Sequence, residues 1–385
     1  MHFVTWRLRG VAGLALTGTL SAQAGPRPRL RAGQDTNSAV AYYGYGLSVI
    51  AREPLKATQG FYWATRLDPE LAAPWYGLWA ASVLSFPDLK LNEYMGGART
   101  EVRDSVLHLV DSLRDRADYL DPVLHHGLDE LILRRWFELL GGGDLNQYIF
   151  GNPAFGGWLA YSRGEFEASV ERYERAIKQD PKSVDLHWAR GRAFLLELSY
   201  DSALTEMRAY RQAIQTRDQK KTRLFLESHE MADYAIGRVE ELNGHLDRAR
   251  QEYDTALIEN LGFVPAHAAL GRLAMARSDT TDALKEFEQA TQVPDALLCY
   301  TYGVLLWASR RLPEAVTHFG RAIEADPDYS PPYLSLAYIE EGSGDDSLAI
   351  AHYQRFLALA PSNLTTQLAT AHQHLEALLA KKGTP

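Results

Sequence analysis

The chain has 385 residues, 46% of them hydrophobic and 23% charged, an ordinary composition for a soluble fold. Its formal net charge is −9 and no basic run stands out, which argues against nucleic acid as a partner. The lone cysteine, Cys299, excludes an intramolecular disulfide and any zinc site built on several thiolates. It sits in an apolar helical pattern and reads as a buried small hydrophobe.

Residues 1–24, MHFVTWRLRGVAGLALTGTLSAQA, have the layout of a secretory signal peptide. Arg7 and Arg9 give a positive start, and Val11 to Leu20 is an apolar core too short to span a bilayer. Ala22-Gln23-Ala24 fits a small-x-small cleavage site, so cleavage is expected before Gly25, with a mature chain that carries no membrane span. The expected location is therefore outside the cytoplasm, periplasmic or secreted. Residues 25–37 are rich in Pro, Gly and Arg and read as a flexible lead-in.

A first helical unit runs from about 38 to 71, where Ala57, Phe61, Ala64 and Pro69 follow a small–aromatic–small–proline order. Its first helix is less regular and carries Gly44 and Gly46. A second unit opens at Ala72, with Trp75, Leu78 and Ala81 close to one helix face. Residues 85–149 then break the pattern. Ser85 to Gly97 reads as loop. Thr100 to Asp118 reads as helix on the spacing of Val102, Val106, Leu109, Val110 and Leu113. Asp121-Pro122 predicts a further helix start, Asp capping and Pro in the first turn, running through Leu139 to the stop Gly141-Gly142-Gly143.

From 150 the chain falls into register. Gly157 and Gly191 are 34 apart, as are Gly237 and Gly271, and Gly303 follows at 32. The interval from Gly191 to Gly237 is 46, and its extra matter is the polar stretch Gln212 to Arg223, expected to lengthen a helix or form a solvated loop. Second helices carry Ser169, Tyr173, Ala176 and Pro181; then Ala203 and Met207; then Ala249, Tyr253 and Ala256; then Ala283, Phe287 and Ala290. The clearest self-match is 302–361, where Ala315 falls on Ala349, Phe319 on Tyr353, Ala322 on Phe356 and Pro327 on Pro361 at an offset of 34. Beyond it, Leu364, Leu368, Ala371, Leu375 and Leu378 make an apolar stripe that predicts a capping helix over residues 362–385.

A 34-residue period with this small–aromatic–small–proline order resembles the tetratricopeptide (TPR) family. The resemblance implies an all-α, right-handed superhelical solenoid of antiparallel helix pairs. Eight units start near 38, 72, 150, 184, 230, 264, 296 and 330, with divergent helices and an insertion over 38–149 and a regular array over 150–361. It also implies that the first helix of each repeat lines a concave groove. Carried onto this sequence, repeat position 9 gives Trp158, Arg192, Arg238, Arg272, Val304 and Tyr338. Position 5 gives Trp188, Tyr234 and Tyr300 among others, and position 12 adds Tyr161, Glu241, Met275, Trp307 and Glu341. Three successive arginines among aromatics suit an extended acidic segment or a terminal carboxylate; the competing expectation pairs them with local glutamates such as Glu241. The lysine–asparagine clamp of chaperone-binding relatives is not reproduced around Trp188, Ala189 and Arg192.

No catalytic pattern matches. His229-Glu230 opens like a zinc-protease helix but lacks the second histidine. His125 and His126 stand four residues before Asp129 and Glu130 and read as ordinary helix-face pairs, while His372 and His374 point apart. The sequence therefore predicts a non-enzymatic scaffold without cofactor or metal, binding a protein or peptide in its groove. The alternative is a glycan- or cell-wall-associated adaptor using the aromatics. The insertion offers a second surface or a self-association contact, and a weaker third reading places a metal-dependent activity there.

Overall fold

The computed structural model describes residues 27–87, 101–139, 152–218, 229–360 and 364–383, and every regular element among them is a helix. The chain forms two compact units, Met1–Leu261 and Gly262–Pro385. The first contains α1 (Ala39–Val49), α2 (Pro54–Leu67), α3 (Ala72–Ser85), α4 (Glu101–Leu120), α5 (Asp129–Leu139), α6 (Pro153–Ser162), α7 (Phe166–Gln179), α8 (Asp185–Leu196), α9 (Tyr200–Asp218), α10 (His229–Leu242) and α11 (Leu246–Glu259). The second contains α12 (Val264–Ala276), α13 (Thr280–Ala290), α14 (Ala296–Ala308), α15 (Leu312–Ala325), α16 (Pro331–Ser343), α17 (Asp346–Leu359) and α18 (Thr365–Gly383). The leader, Gly141–Gly143, Pro361 and the end of the polar stretch after Asp218 lie outside the described residues.

Within each unit successive helices pack in pairs, and the small and aromatic positions of the sequence explain how. Phe61, Tyr173, Tyr253, Phe287, Phe319 and Tyr353 are all buried. Each lies against a small residue of its own pair's first helix: a Cβ on Gly271 would stand 2.8 Å from the Phe287 ring. In the first pair Gly46 takes this place, where a Cβ would stand 2.6 Å from the Phe61 ring, so the slightly offset glycine performs the same task. Truncating such a ring to alanine costs roughly 3–5 kcal/mol by cavity formation.

Six first helices end in the same turn. Gly164, Leu198, Gly244, Ser278, Arg310 and Gly344 all take left-handed φ between 59° and 85°. Each donates its N–H to the carbonyl three residues back, and the next residue donates to the carbonyl five back, as Leu198 does to Leu195 and Ser199 to Phe194. Those paired bonds satisfy carbonyls that a helix end leaves open. In every case the turn sits at position 15 of its repeat, so backbone geometry holds the register even where glycine is missing.

Two expectations for the insertion change. The helix predicted from Asp121 begins at Asp129 instead. Asp121 caps only a short turn, its Oδ1 accepting from the Val123 N–H. The polar groups of 121–128 then find distant partners, described below, that outcompete a helical ladder. As a result His125 and His126 are not on a helix face with Asp129 and Glu130, and the i,i+4 pairing does not form. Glu130 instead takes Arg163 through two hydrogen bonds, at 2.9 and 3.1 Å, which anchors α5 beside the α6–α7 turn. The helix α4 packs against α3 and buries Leu107, Val110, Leu113 and Ala117. The C-terminal stripe packs as its spacing predicts, with Ala371 and Leu378 of α18 buried on α17 and α16.

Candidate functional site

In the first unit the groove positions are turned onto the chain's own residues. Trp158 is half-buried and stacks on Phe155 at 5.7 Å; Trp188 is half-buried against Tyr210 at 5.2 Å. Arg192 donates from Nη2 to the Leu124 carbonyl and lies over the Tyr161 ring at 5.3 Å. A charge-assisted bond of this kind is worth roughly 1.5–3 kcal/mol. Tyr234 is buried, and its hydroxyl donates to the Tyr119 carbonyl at 3.3 Å. Arg238 donates to Glu241 at 2.7 Å, and Tyr253 donates its hydroxyl to the same carboxylate oxygen at 2.6 Å. Burial alone would lower the Arg238 guanidinium, but the Glu241 carboxylate beside it outweighs that and holds it above the ordinary arginine range. Burial, reinforced by Glu241, also pushes the Tyr253 phenol up. The local-glutamate expectation therefore describes Arg238.

The residues 119–128 that meet this face are held along their length. The His125 imidazole donates from Nε2 to the Tyr161 carbonyl at 2.7 Å, with its ring edge-on to Tyr161 at 5.0 Å and Phe166 at 5.3 Å. Val123 joins a buried cluster with Leu195, Met207 and Ile236. Leu124 and Leu128 pack on a second cluster built from α1 to α5. His126 stacks on Tyr76 at 4.7 Å and bonds Asp118 at 2.9 Å. Tyr76 donates its hydroxyl to Asp129 at 2.7 Å and accepts the Leu128 N–H at 3.1 Å. The two histidines thus have separate tasks, and among the described residues no group of three or more His, Cys, Asp or Glu side chains could hold a metal ion.

The second unit presents its groove positions differently. Arg272 is exposed, and its side chain makes no hydrogen bond or ion pair among the described residues. Met275, one turn on, is 43% exposed, and Val304 on α14 is 37% exposed. Tyr300 is half-buried between Phe319 at 5.8 Å and Tyr329 at 5.7 Å. Trp307 is half-buried and edge-on to Phe319 at 6.3 Å. Tyr338 packs on Tyr353 at 5.8 Å and on His374 of α18 at 5.6 Å. Glu341 accepts the Tyr353 hydroxyl at 2.6 Å and faces His374 Nδ1 at 2.7 Å, repeating the Glu241–Tyr253 arrangement with a histidine in place of Arg238. Cys299 is fully buried, and burial pushes its thiol up.

Sequence reading missed a set of buried charges. Asp233 and Glu240 on α10 are fully buried. Arg211 of α9 bonds Asp233 at 2.9 Å and Glu252 at 2.5 Å, while Arg208 and His245 bond Glu240 at 2.5 and 2.8 Å. Two further pairs occupy equal repeat positions: His187 with Glu206 at 2.8 Å and His267 with Glu286 at 2.7 Å. Their signal was in the sequence, a His and a Glu 19 residues apart in two repeats.

Two family models match parts of the chain. Residues 157–196 match a family model described as TPR repeat. Residues 234–297, 268–330 and 300–363 match one described as tetratricopeptide repeat. No curated protein matches the chain. Among solved structures, the C-terminal part of a TPR repeat-containing protein from Cytophaga hutchinsonii is similar at 15% identity and TM-score 0.47, covering 59% of this chain and 88% of that one. Yeast Tom70 is similar at 13% identity and TM-score 0.40, covering 90% of each chain. YrrB, described as a TPR protein with an unusual peptide-binding site, is similar at 18% identity and TM-score 0.34, covering 46% of this chain and 86% of that one. The shared period, the buried rings against small residues and the matched models lead to one conclusion: over residues 157–196 and 234–363 this chain is built of tetratricopeptide repeats.

Proposed function

We propose that the chain is a non-enzymatic scaffold that holds an extended acidic peptide or protein segment on the first-helix face of residues 262–383. The observation that carries this reading is the exposed, unpartnered Arg272 beside exposed Met275, with exposed Val304 and half-buried Trp307 on the next first helix. A guanidinium with a free fork takes a carboxylate through two hydrogen bonds, and flanking apolar side chains take the aliphatic part of a bound segment. Arg192 and Arg238 are already engaged, so the ligand reading concentrates on Arg272. The aromatics Tyr300, Trp307 and Tyr338 are packed partly into the repeat interior. That leaves less ring face for stacking a sugar and favours a peptide over a glycan. Crosslinking and mass spectrometry in the native host, with the wild-type chain and with Arg272→Ala/Trp307→Ala, tests the proposal. Loss of the main crosslinked partner in the folded variant is the expected result; unchanged capture rejects this face.

The location belongs to the same proposal. The leader-like residues 1–24 support export with cleavage before Gly25. Among the described residues no helix is long and apolar enough to cross a membrane. N-terminal sequencing of the protein recovered from outside the cytoplasm is expected to begin at Gly25, and a retained Met1 sinks the cleavage reading.

A further inference from the structure

The first-helix face of α6, α8 and α10 is covered by residues 119–128 of the same chain, which pack Val123 into its core and are also held by polar anchors along their length. Two of the three polar anchors from the face go to main-chain carbonyls: Arg192 to Leu124 and Tyr234 to Tyr119. The third is the Tyr161 carbonyl, which accepts from His125. Tyr161, Arg192 and Tyr234 come from three successive repeats, at positions 12, 9 and 5. Main-chain contacts give affinity for any extended segment, and side-chain pockets add selectivity.

The fit is also incomplete in one chemical respect. Arg192 offers its guanidinium to a neutral carbonyl, and its buried Nε has no hydrogen-bond partner. A guanidinium fork is geometrically matched to a carboxylate, which accepts two parallel bonds and supplies the opposite charge. An unpaired buried donor carries a desolvation cost that such a ligand would remove.

We propose that the α6–α8–α10 face is a second peptide-binding surface, filled in cis by residues 119–128, and that the partner able to displace them is an extended segment with a carboxylate at the place of Leu124. This rests on reading the chain as a peptide-binding scaffold. The cis segment keeps the face closed to weak ligands, because a tethered occupant competes at an effective concentration that a free peptide must exceed.

The test uses the full-length chain and a fluorescent synthetic peptide with the sequence of Tyr119–Leu128 carrying Leu124→Glu. Binding is read by polarisation for six proteins: wild type, Arg272→Ala, His125→Ala, a chain with residues 121–128 replaced by a Gly/Ser linker of equal length, and the last two each with Arg192→Ala added. Thermal melts first establish that each is folded. The expected result is an affinity gain of about tenfold or more from wild type to the linker chain, with His125→Ala between them, and loss of that gain with Arg192→Ala. The probe is also expected to speed deuterium exchange at amides 121–128 of the wild-type chain. If the linker chain does not fold, His125→Ala and the exchange measurement decide. Equal affinity in wild type and His125→Ala with no change in exchange overturns the proposal, as does a gain that survives Arg192→Ala. Probe binding that is insensitive to Arg192→Ala but lost in Arg272→Ala also overturns it while leaving the general scaffold reading intact.

Discussion

His125 and His126 are adjacent in sequence yet face different neighbours. His125 meets Tyr161, Phe166, Arg192 and Asp129, and His126 meets Tyr76, Asp118, Arg114, Arg192 and Asp129. Burial, with the Arg192 charge nearby, holds both imidazoles below the ordinary histidine value of 6.5, against the pull of the Tyr161 carbonyl and Asp129 on His125 and of Asp118 and Asp129 on His126. A lowered native value means that the unfolded chain takes up these protons first as pH falls. Their contribution to stability is complete above about pH 6.5 and drains away below it. The thermal midpoint is therefore expected to drop between about pH 7 and pH 5, and His125→Gln/His126→Asn to flatten that slope. Glu130, held low by Arg163 and Arg134 although burial pulls the other way, loses its contribution only below its ordinary value of 4.5, so the two windows separate. None of this was readable from spacing, because two histidines four residues before two acids look like a helix face until the backbone leaves the helix. The groove positions fared similarly. Arg192, Arg238 and Arg272 share one repeat position, yet one meets a backbone carbonyl, one a neighbouring glutamate and one solvent. A repeat frame gives the direction of a side chain, and partners distant in sequence decide what it meets.

At the scale of elements, the position-15 turn gives a sharp prediction. Leu198, Ser278 and Arg310 hold left-handed φ near 60°, where a Cβ crowds the following carbonyl. Leu198 is 71% exposed, so removing its side chain gives up little packing. Leu198→Gly and Arg310→Gly are each expected to raise stability by about 0.5–1 kcal/mol, the relieved strain less the added freedom of the unfolded chain. Urea unfolding midpoints check this, and the same change at Leu204, which is buried inside α9, should destabilise instead. The helices themselves were largely visible in the sequence, since small and aromatic residues recur at one period and their contacts are local to a repeat. The helix expected at Asp121 was not, because Asp-Pro signals a start without saying whether the following residues will be drawn into tertiary hydrogen bonds. The buried acids of α10 were also invisible, since Asp233 and Glu240 are paired inside by Arg211 and Arg208 one helix away on α9, with His245 also on Glu240.

At the scale of the molecule, residues 119–128 tie the cluster around α1 to α5 to the cluster around α8 to α10 within the first unit. Repeats normally contact only their neighbours, so such a strap joins parts of the array that would otherwise open independently. The second unit ends differently, with α18 closing its last apolar face through Ala371 and Leu378 and through the His374–Glu341 contact. Cys299 carries a practical consequence here. Its thiol is inaccessible in the folded chain and the sequence contains no other, so the native protein is silent to thiol-directed reporters. A cysteine introduced at Leu198, Ser278 or Arg310, where backbone alone makes the turn, becomes a single addressable handle at a known step of the array. Paired spin labels or fluorophores at such handles turn the repeat into a ruler, able to read the spacing of its helix pairs before and after a client binds.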